Sequence, residues 1–351
     1  SMNDIMGQIK EFIIQISVIV MLLTIIMVLF VIFIMNRAMI KPINLLSSAA
    51  RRFISEENDM GKKESAISKI EIKTGDEIEN LFRSVKKMES DIYNYIENLT
   101  AVTAERERIG AELDVAKQIQ TDMLPNTFPA FPEREEFDIY AIMTPAKEVG
   151  GDFYDFFLAD DDHLVLVIAD VSGKGVPAAL FMMISKTLIK SAAQTGMSPK
   201  EILEKVNNQL CENNEAEMFV TAWVGIMEIS TGRMIWANAG HEFPAIKRAN
   251  GKFELFRDKH GFVLAGMENM RYSEYEIELK AGDKLVVYTD GVTEAVNVKE
   301  ELFGTERMID SLNSAEERDC KDLLFTLKWS IDRFAGKAPQ FDDITMLAIE
   351  M

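Results

Sequence analysis

An uninterrupted apolar segment, residues 12–35, constrains this chain more than any other feature of its sequence. The segment (FIIQISVIVMLLTIIMVLFVIFIM) contains no charged side chain. As a helix it would be about 36 Å long, enough to cross a hydrocarbon core of about 30 Å. A cleavable signal peptide is the alternative, but its apolar part would be shorter and would follow basic residues, whereas Asp4 and Glu11 precede this one. The sequence therefore predicts a transmembrane helix in contact with membrane lipid.

The charges that flank this segment predict its orientation. Arg37 and Lys41 follow it directly, and basic residues are enriched on the cytoplasmic side of a membrane. We therefore expect a single-pass protein of the cell membrane whose chain after residue 36 is cytoplasmic.

Charge and cysteine content exclude two classes of function. The chain has 57 acidic and 38 basic residues, a net charge of −19, so phosphate backbones repel it and nucleic acid is not an expected partner. Its two cysteines, Cys211 and Cys320, form no CxxC motif. This argues against a disulfide framework or a thiolate zinc site and favours a reducing compartment.

Residues 36–90 have the organisation of a signal relay placed next to a membrane. Pro42 follows the span, Ile43–Ile54 is amphipathic, and a polar connector (SEENDMGKKESAISK) comes next. Thr74 or Asp76 can then cap a second helix. This order resembles a HAMP domain, the relay found after transmembrane helices. A plain helical linker is the alternative.

Residues 91–124 repeat apolar side chains at alternating spacings of three and four. Arg106 and Gln120 interrupt the repeat at positions where apolar residues are expected. Sustained heptads predict a coiled coil, and polar seam residues weaken it while fixing its register. We expect a homodimer formed through this linker and the HAMP-like segment. The alternative is a helix that packs on its own catalytic domain, and each arrangement can hold in a different state.

Three prolines, Pro125, Pro129 and Pro132, end the helical part and predict a separate domain at 125–351. Eight short runs rich in Val, Ile, Phe and Tyr follow and are typical of strands. They are FDIYAIMTPA, GDFYDFFLAD, HLVLVIADVS, FVTAWVGIMEI, GRMIWANAG, YSEYEIEL, KLVVYTDGV and DITMLAIEM. Helical patterns at 176–195 and 199–213 lie together, and a third at about 305–335 precedes the last strand. Grouped helices favour a layered α+β fold over an alternating parallel one.

Four aspartates lie where predicted strands meet turns: Asp152, Asp170, Asp290 and Asp342. One such residue would be an ordinary turn former. Four of them in separate segments can converge, and converging carboxylates cannot all ionise without a cation. Hard oxygen ligands without a nearby Cys or His triad suit Mg²⁺ or Mn²⁺, and a pair of such ions can activate water and bind a phosphoryl oxygen.

Five motifs in this region, EVGGDFYDFF, IADVSGKGVPAAL, NAGHEFP, YTDGVTEA and DDITML, closely resemble in order and spacing the PPM (2C-type) phosphatases, in particular their RsbU/SpoIIE-like bacterial branch. The resemblance covers about residues 110–351. It implies an αββα sandwich with two Mn²⁺ or Mg²⁺ ions between the sheets and hydrolysis of phosphoserine or phosphothreonine. It also implies a substrate: a phosphorylated STAS-domain protein that antagonises an anti-sigma factor.

The same resemblance implies individual roles for the acidic residues. Asp152 would bridge both ions, and Asp170 would bind one of them beside the Val171 carbonyl. Asp290 and Asp342 would bind the other, with Asp343 as the alternative to Asp342 because the motif places two acids side by side. No arginine of this sequence lies in a motif that matches the phosphate-binding arginine of the eukaryotic 2C-type enzymes.

Two further polar residues in these motifs have open roles. Gly173-Lys174-Gly175 precedes a predicted helix whose N-terminus could bind a phosphate, but Lys174 is equally interpretable as a solvated surface lysine. His241 is a candidate proton donor or, on the more ordinary interpretation, a hydrogen-bonded turn residue. Gly150, Gly151 and Gly291 are expected to let backbone pass close to the ligands.

Three other functions compete with the phosphatase hypothesis. A sensor histidine kinase needs a histidine on the helix after the relay, but His163, His241 and His260 all lie later. A diguanylate cyclase would use GGDF, yet Phe153 and Tyr154 replace the expected Glu-Phe pair and the other motifs would have no role. A membrane-linked interaction module without catalysis is the third.

Overall fold

The computed structural model describes residues 2–55, 67, 70–315 and 317–351. The described chain divides into two compact units, one ending at Arg108 and the other comprising Ile109–Met351. The helices are α1 (Met2–Met35), α2 (Lys41–Ser55), α3 (Glu77–Met123), α4 (Val176–Ala193), α5 (Pro199–Cys211), α6 (Gly304–Asn313) and α7 (Cys320–Ala335). The strands are β1 (Asp138–Thr144), β2 (Phe153–Leu158), β3 (His163–Val171), β4 (Val220–Glu228), β5 (Arg233–Ala239), β6 (Ala245–Lys247), β7 (Phe253–Leu255), β8 (Glu274–Glu278), β9 (Lys284–Tyr288) and β10 (Ile344–Glu350).

The first unit contains the apolar N-terminal helix. A π-helical segment, Asn36–Ile40, joins α1 to α2. Two described helical stretches are long and apolar enough to cross a membrane. In Ile5–Arg51 no residue of the most apolar 18-residue window is buried, whereas Val176–Ala193 is 44% buried. The second stretch is α4 of the second unit, where its buried face packs in a core. Only the N-terminal helix therefore exposes the continuous apolar surface that a membrane span requires.

The segment after α2 forms a small core of its own. Leu46 and Ala49 of α2 are buried together with Ile72 and with Phe82 of α3. Helix α3 begins as predicted, because the Asp76 carboxylate accepts a hydrogen bond from the Ile78 N–H (3.0 Å) and so caps the first turn. Most of the predicted polar connector, 55–69, lies outside the described residues, and the HAMP-like assignment stays a prediction.

The second unit is a four-layer α+β sandwich. Its two five-stranded antiparallel sheets have the orders β1-β10-β9-β6-β7 (sheet A) and β2-β3-β4-β5-β8 (sheet B). Helices α4 and α5 pack on sheet B, and α6 and α7 pack on sheet A. The predicted αββα sandwich is confirmed.

Strand alternation explains how sheet A separates two cores. In β9, Leu285 and Val287 belong to the core shared by the two sheets, whereas Val286 and Tyr288 face α6 and α7. Successive side chains point to opposite faces of a strand, so an almost continuous apolar run is required where both faces are covered. Sheet B has the same property, because seven of the nine residues of β3 (HLVLVIADV) are both apolar and buried, and only its two polar residues, His163 and Asp170, are not.

The elements of the second unit differ from the sequence-based expectation in detail. The helical region predicted at about 305–335 contains two helices, α6 and α7, and Asp319 begins the second by accepting a hydrogen bond from the Asp322 N–H (2.7 Å). The hairpin of β6 and β7 was missed because each strand has only three residues, too few to show a period. The other eight predicted strands are present with trimmed ends.

Candidate metal centre

Strand register brings the first two candidate aspartates side by side. Strands β2 and β3 are antiparallel, with Phe153 opposite Ala169. The next pair outward along the two chains is therefore Asp152 and Asp170. Both lie at one end of sheet B, where β2 begins and β3 ends.

Sheet A delivers the other two aspartates to the same end of the sandwich. Met346 of β10 is opposite Tyr288 of β9, so the residues after Tyr288 and those before Ile344 emerge together. These are Asp290 and Asp342. A hydrogen bond joins the sheets at this point, because the Thr289 hydroxyl donates to Asp152 Oδ2 (2.7 Å).

Each of these four aspartates lies close enough to at least one other to interact with it electrostatically. Burial, and then the neighbouring Asp170 carboxylate, raise the pKa of Asp152 well above its usual range. Burial and then Asp290 raise the pKa of Asp170 to about 7, and burial and then Asp342 raise that of Asp290 to about 6. The pKa values of carboxyl groups rise together when the groups are crowded into one desolvated site.

Asp342 and Asp343 have different environments despite being adjacent. Asp343 is buried, and its carboxylate accepts hydrogen bonds from the N–H groups of Ala146 (2.7 Å) and Gly151 (2.8 Å). It therefore holds the loop that precedes Asp152. The Asp342 side chain is 23% exposed, and it is the one of the two whose charge raises the pKa of Asp290.

Two glycines allow this close packing, as the sequence predicted. A Cβ atom on Gly150 would lie 2.3 Å from Asp343 Oδ2, and one on Gly291 would lie 1.9 Å from the Asp343 carbonyl oxygen. Both distances are far below van der Waals contact, so any side chain would push the acidic loops apart. Val171 also lies here, since its carbonyl oxygen is 2.7 Å from the position of a Cβ on Gly151.

The end of helix α3 contacts the same loop through a residue that the heptad pattern had placed in a coiled-coil seam. Gln120 is buried, and its side-chain amide donates to the Gly150 carbonyl (2.7 Å) and accepts from the Gly150 N–H (3.1 Å). The polar interruption in the heptads was the sequence signal for this contact. The end of α3 is therefore packed on the acidic loop in this conformation.

Lys174 lies at the acidic cluster rather than in solvent. Its Nζ atom is 3.0 Å from Asp342 Oδ2, donates to the Phe341 carbonyl oxygen, and stands 4.1 Å from the centre of the Phe341 ring. The alternative of a freely solvated surface lysine is wrong.

His241 has the surroundings of a structural residue. It is buried, its Nδ1 is 2.9 Å from the Thr221 hydroxyl, and burial lowers its pKa to about 3. A neutral, enclosed imidazole fits the turn role better than that of a proton donor. Glu242 and Glu294 were not singled out from the sequence, although both stand in the quoted motifs and both raise the pKa of Asp290 after burial and Asp342.

The donor set fits divalent cations with a preference for oxygen. Asp152, Asp170, Asp290 and Asp342 offer carboxylates whose mutual repulsion a cation would relieve. The tightest group of potential ligands among the described residues is elsewhere: Asp138, Cys320 and Glu350 have ligand atoms within 4.8 Å of one another. There the Lys284 ammonium lies 2.9 Å from Glu350 Oε2 and burial raises the pKa of the Cys320 thiol, so that group needs no metal.

Comparison with known proteins agrees with this architecture. The profile of the family Stage II sporulation protein E (SpoIIE) matches residues 160–351. Protein IcfG of Synechocystis sp. is 31% identical over 265 residues, which are 68% of this chain and 41% of that protein. Phosphoserine phosphatase RsbU of Bacillus subtilis is 34% identical over 191 residues, 54% of this chain and 55% of that protein.

A solved structure supports the fold independently. The SiaA-PP2C domain of Pseudomonas aeruginosa superimposes with a TM-score of 0.63 at 22% identity, covering 71% of this chain and 99% of that one. The chain spans about half the length of the curated relatives it matches. Because the profile matches more than half of the sequence, the chain belongs to the SpoIIE family of PP2C-type phosphatases.

Proposed function

We propose that this chain is a membrane-anchored, signal-regulated serine/threonine phosphoprotein phosphatase. The observation that carries the proposal is the convergence of Asp152, Asp170, Asp290 and Asp342 at one end of the two sheets, where burial and then neighbouring carboxylates raise the pKa values of Asp152, Asp170 and Asp290. A non-catalytic module would have no reason to keep so unfavourable a group of charges in a partly buried place.

The proposed role of each residue is the one that the motif resemblance implies. Asp152 would bridge two Mn²⁺ or Mg²⁺ ions. Asp170 and the Val171 carbonyl would hold one ion, and Asp290 with Asp342 would hold the other. The chemistry supplied by such ions is activation of water and neutralisation of phosphoryl charge. Thr289 and Asp343 keep the ligands in place, the first through Asp152 and the second through the Gly151 N–H.

Phosphate release by the purified chain tests the proposal. We expect hydrolysis of a phosphoserine peptide with Mn²⁺ and none with EDTA. Asp170→Asn and Asp290→Asn should each lower kcat by at least about a thousandfold, because each removes a ligand charge from the centre. Unchanged circular dichroism would show that the fold persists. Full activity of either variant would overturn the site assignment.

The proposed substrate is a phosphorylated STAS-domain protein. The support is the relationship to RsbU, a protein named as a phosphoserine phosphatase, together with the motif resemblance. A panel of phosphorylated STAS-domain proteins, compared with unrelated phosphoproteins, provides the test. Equal rates of dephosphorylation of STAS-domain proteins and unrelated phosphoproteins would show that the phosphatase has no preference for STAS-domain substrates.

The proposed anchor is the apolar part of α1. Its side chains are exposed along the whole span, for example Met27 at 67% and Leu29 at 61%, and lipid is the environment that such a surface fits. Alkaline carbonate should leave the chain in the membrane pellet. Protease added to intact cells should leave residues 109–351 uncut if that unit is cytoplasmic.

We propose that α3 carries the regulatory signal. Heptad positions early in the helix are exposed, including Leu99 (64%) and Val102 (66%), whereas Gln120 near its end bonds to Gly150 two residues before Asp152. A parallel homodimer through this helix would couple its register to the position of the acidic loop, and through α4 to Asp170.

A further inference from the structure

Lys174 is held at the acidic cluster by three contacts to one segment of chain. It stands between Gly173 (φ 86°) and Gly175 (φ 83°), left-handed backbone that glycine adopts without strain and that turns the chain sharply before α4. The side chain crosses to the loop before β10, where it meets Asp342 Oδ2, the Phe341 carbonyl oxygen and the Phe341 ring.

The hydrogen-bonding capacity of the ammonium group is not exhausted by these contacts. A lysine has three N–H donors. One donates to the Phe341 carbonyl oxygen, and even if the ion pair with Asp342 takes a second, the third is left. The Lys174 side chain is 24% exposed, so an oxygen anion arriving from solvent can reach the group.

The partner of Lys174 places the third donor next to the expected reaction centre. Asp342 interacts with Asp170 and Asp290 strongly enough to raise their pKa values. An anion drawn to ions on these carboxylates would therefore lie beside the ammonium group as well. The lysine ammonium is a compact point charge that commonly binds phosphate oxygens, and no motif supplies an arginine for that purpose.

We propose that Lys174 is a catalytic residue that donates a hydrogen bond to a phosphoryl oxygen of the substrate while it remains paired with Asp342. This inference rests on the proposed phosphatase function. Lys174 makes and breaks no covalent bond: it binds the phosphoryl group and stabilises the charge that develops on it. Because Lys174 and a divalent cation repel each other at Asp342, loss of the lysine charge should not weaken metal binding.

Three variants of the full chain in detergent separate these roles. Lys174→Met removes the charge and keeps the length of the side chain over Phe341, and Lys174→Arg keeps the charge. Lys190→Met is the matched control, since the Lys190 ammonium also stands over a ring, 4.8 Å from the centre of Phe157, but on α4 and away from the acidic loops. The readouts are Mn²⁺ affinity by electron paramagnetic resonance, inhibition by inorganic phosphate, and KM and kcat for p-nitrophenyl phosphate.

For Lys174→Met we expect phosphate inhibition to weaken by at least about tenfold, as loss of one charge-assisted hydrogen bond requires. We expect kcat/KM to fall by at least as much, with Mn²⁺ affinity unchanged or tighter. Lys174→Arg should recover part of both losses, and Lys190→Met should match the wild type. Unchanged phosphate inhibition in Lys174→Met overturns the proposal. So does a parallel loss of Mn²⁺ affinity, which would make Lys174 only a support for Asp342.

Failure of the proposed function gives a different result. A wild-type chain that binds Mn²⁺ and inorganic phosphate but hydrolyses no ester is not a phosphatase. The comparison of phosphate affinity between wild type and Lys174→Met, by calorimetric titration in Mn²⁺, still decides whether Lys174 binds the anion.

Discussion

Asp342 and Asp343 are chemically identical neighbours, and their different partners give them separable effects. Asp343→Asn puts an amide group where the carboxylate accepts from the Ala146 and Gly151 N–H groups. At least one buried donor then lacks an acceptor, which should lower the free energy of unfolding by about 1–3 kcal/mol. Asp342→Asn should leave the free energy of unfolding nearly unchanged, because a solvent-accessible ion pair such as that with Lys174 contributes little.

The effects of the two substitutions on Mn²⁺ affinity should have the opposite order to their effects on stability. Asp342→Asn removes a proposed ligand and should weaken Mn²⁺ binding by at least about tenfold, whereas Asp343→Asn should retain binding in the molecules that stay folded. Thermal unfolding and Mn²⁺ titration of the two variants side by side measure both quantities. Loss of metal only in Asp343→Asn would transfer the ligand role to Asp343.

Asp170 should make the stability of the chain in EDTA fall as pH rises. Its folded pKa is raised to about 7, against about 3.9 in an unfolded chain. The folded state therefore binds the extra proton between these values, and the stability it contributes is present below about pH 4 and lost as pH passes through 7. Between pH 5 and 8 in EDTA, the free energy of unfolding of the wild type should fall by more than about 1 kcal/mol relative to that of Asp170→Asn.

Tryptophan fluorescence suits this measurement, because all three tryptophans, Trp223, Trp236 and Trp329, lie in the second unit. Added Mn²⁺ should restore the stability of the wild type at pH 8 and leave the stability of Asp170→Asn unchanged. A wild-type-to-variant difference that is independent of pH would show that Asp170 is ionised throughout this range.

The sequence could identify residues that stand at the ends of apolar strands. It could not identify pairs of residues that meet only after distant segments have folded together. Asp152, Asp170 and Asp290 each stand where an apolar strand meets a turn, so a common rim could be inferred. The pairing of Lys174 with Asp342 joins two loops on different sheets, and no local pattern encodes it. Thr289 is similar, since its bond to Asp152 requires the two sheets to face each other.

At the scale of elements, the end of α3 should behave as part of the second unit. Gln120→Ala leaves the N–H and C=O groups of Gly150 without their side-chain partner. We expect a loss of about 1–3 kcal/mol in the free energy of unfolding of that unit, and weaker Mn²⁺ binding because Gly150 positions the chain that leads to Asp152. Gln118→Ala is the matched control, since Gln118 is exposed and bonds only to Asp122 within the helix.

Equal stability of the Gln120→Ala and Gln118→Ala chains would show that the contact with Gly150 has no energetic weight. A loss of stability without a change in Mn²⁺ affinity would confine Gln120 to a structural role. Tryptophan fluorescence again reports the unfolding of the second unit alone, because all three tryptophans lie in it.

Heptad spacing could not distinguish the two surfaces that α3 presents. The same three-and-four repeat places Leu99 and Gln120 on one stripe, yet Leu99 is 64% exposed and Gln120 is buried. Periodicity identifies an apolar face without identifying what covers it. The missed β6–β7 hairpin has a related cause, because three residues are too few for alternation to appear.

At the scale of the whole molecule, the exposed stripe on α3 predicts self-association. Tyr95, Leu99, Val102 and Ile109 are exposed by 72%, 64%, 66% and 46%, and their spacing is that of a coiled-coil seam. If α1 is the proposed membrane anchor, every copy enters the membrane in the same direction, so a second copy can supply a parallel partner helix.

We expect the wild type to be a dimer in detergent and the Leu99→Glu, Val102→Glu double variant to be a monomer, since charges in the seam are desolvated and repel each other. Ala101→Glu combined with Ala104→Glu adds the same charge to exposed positions off the stripe and should leave the dimer intact. Light scattering after size-exclusion chromatography distinguishes the two states. If both variants remain dimers, the stripe is not the interface. If the first becomes a monomer and keeps the wild-type rate of phosphate release, α3 joins two copies without controlling the metal centre.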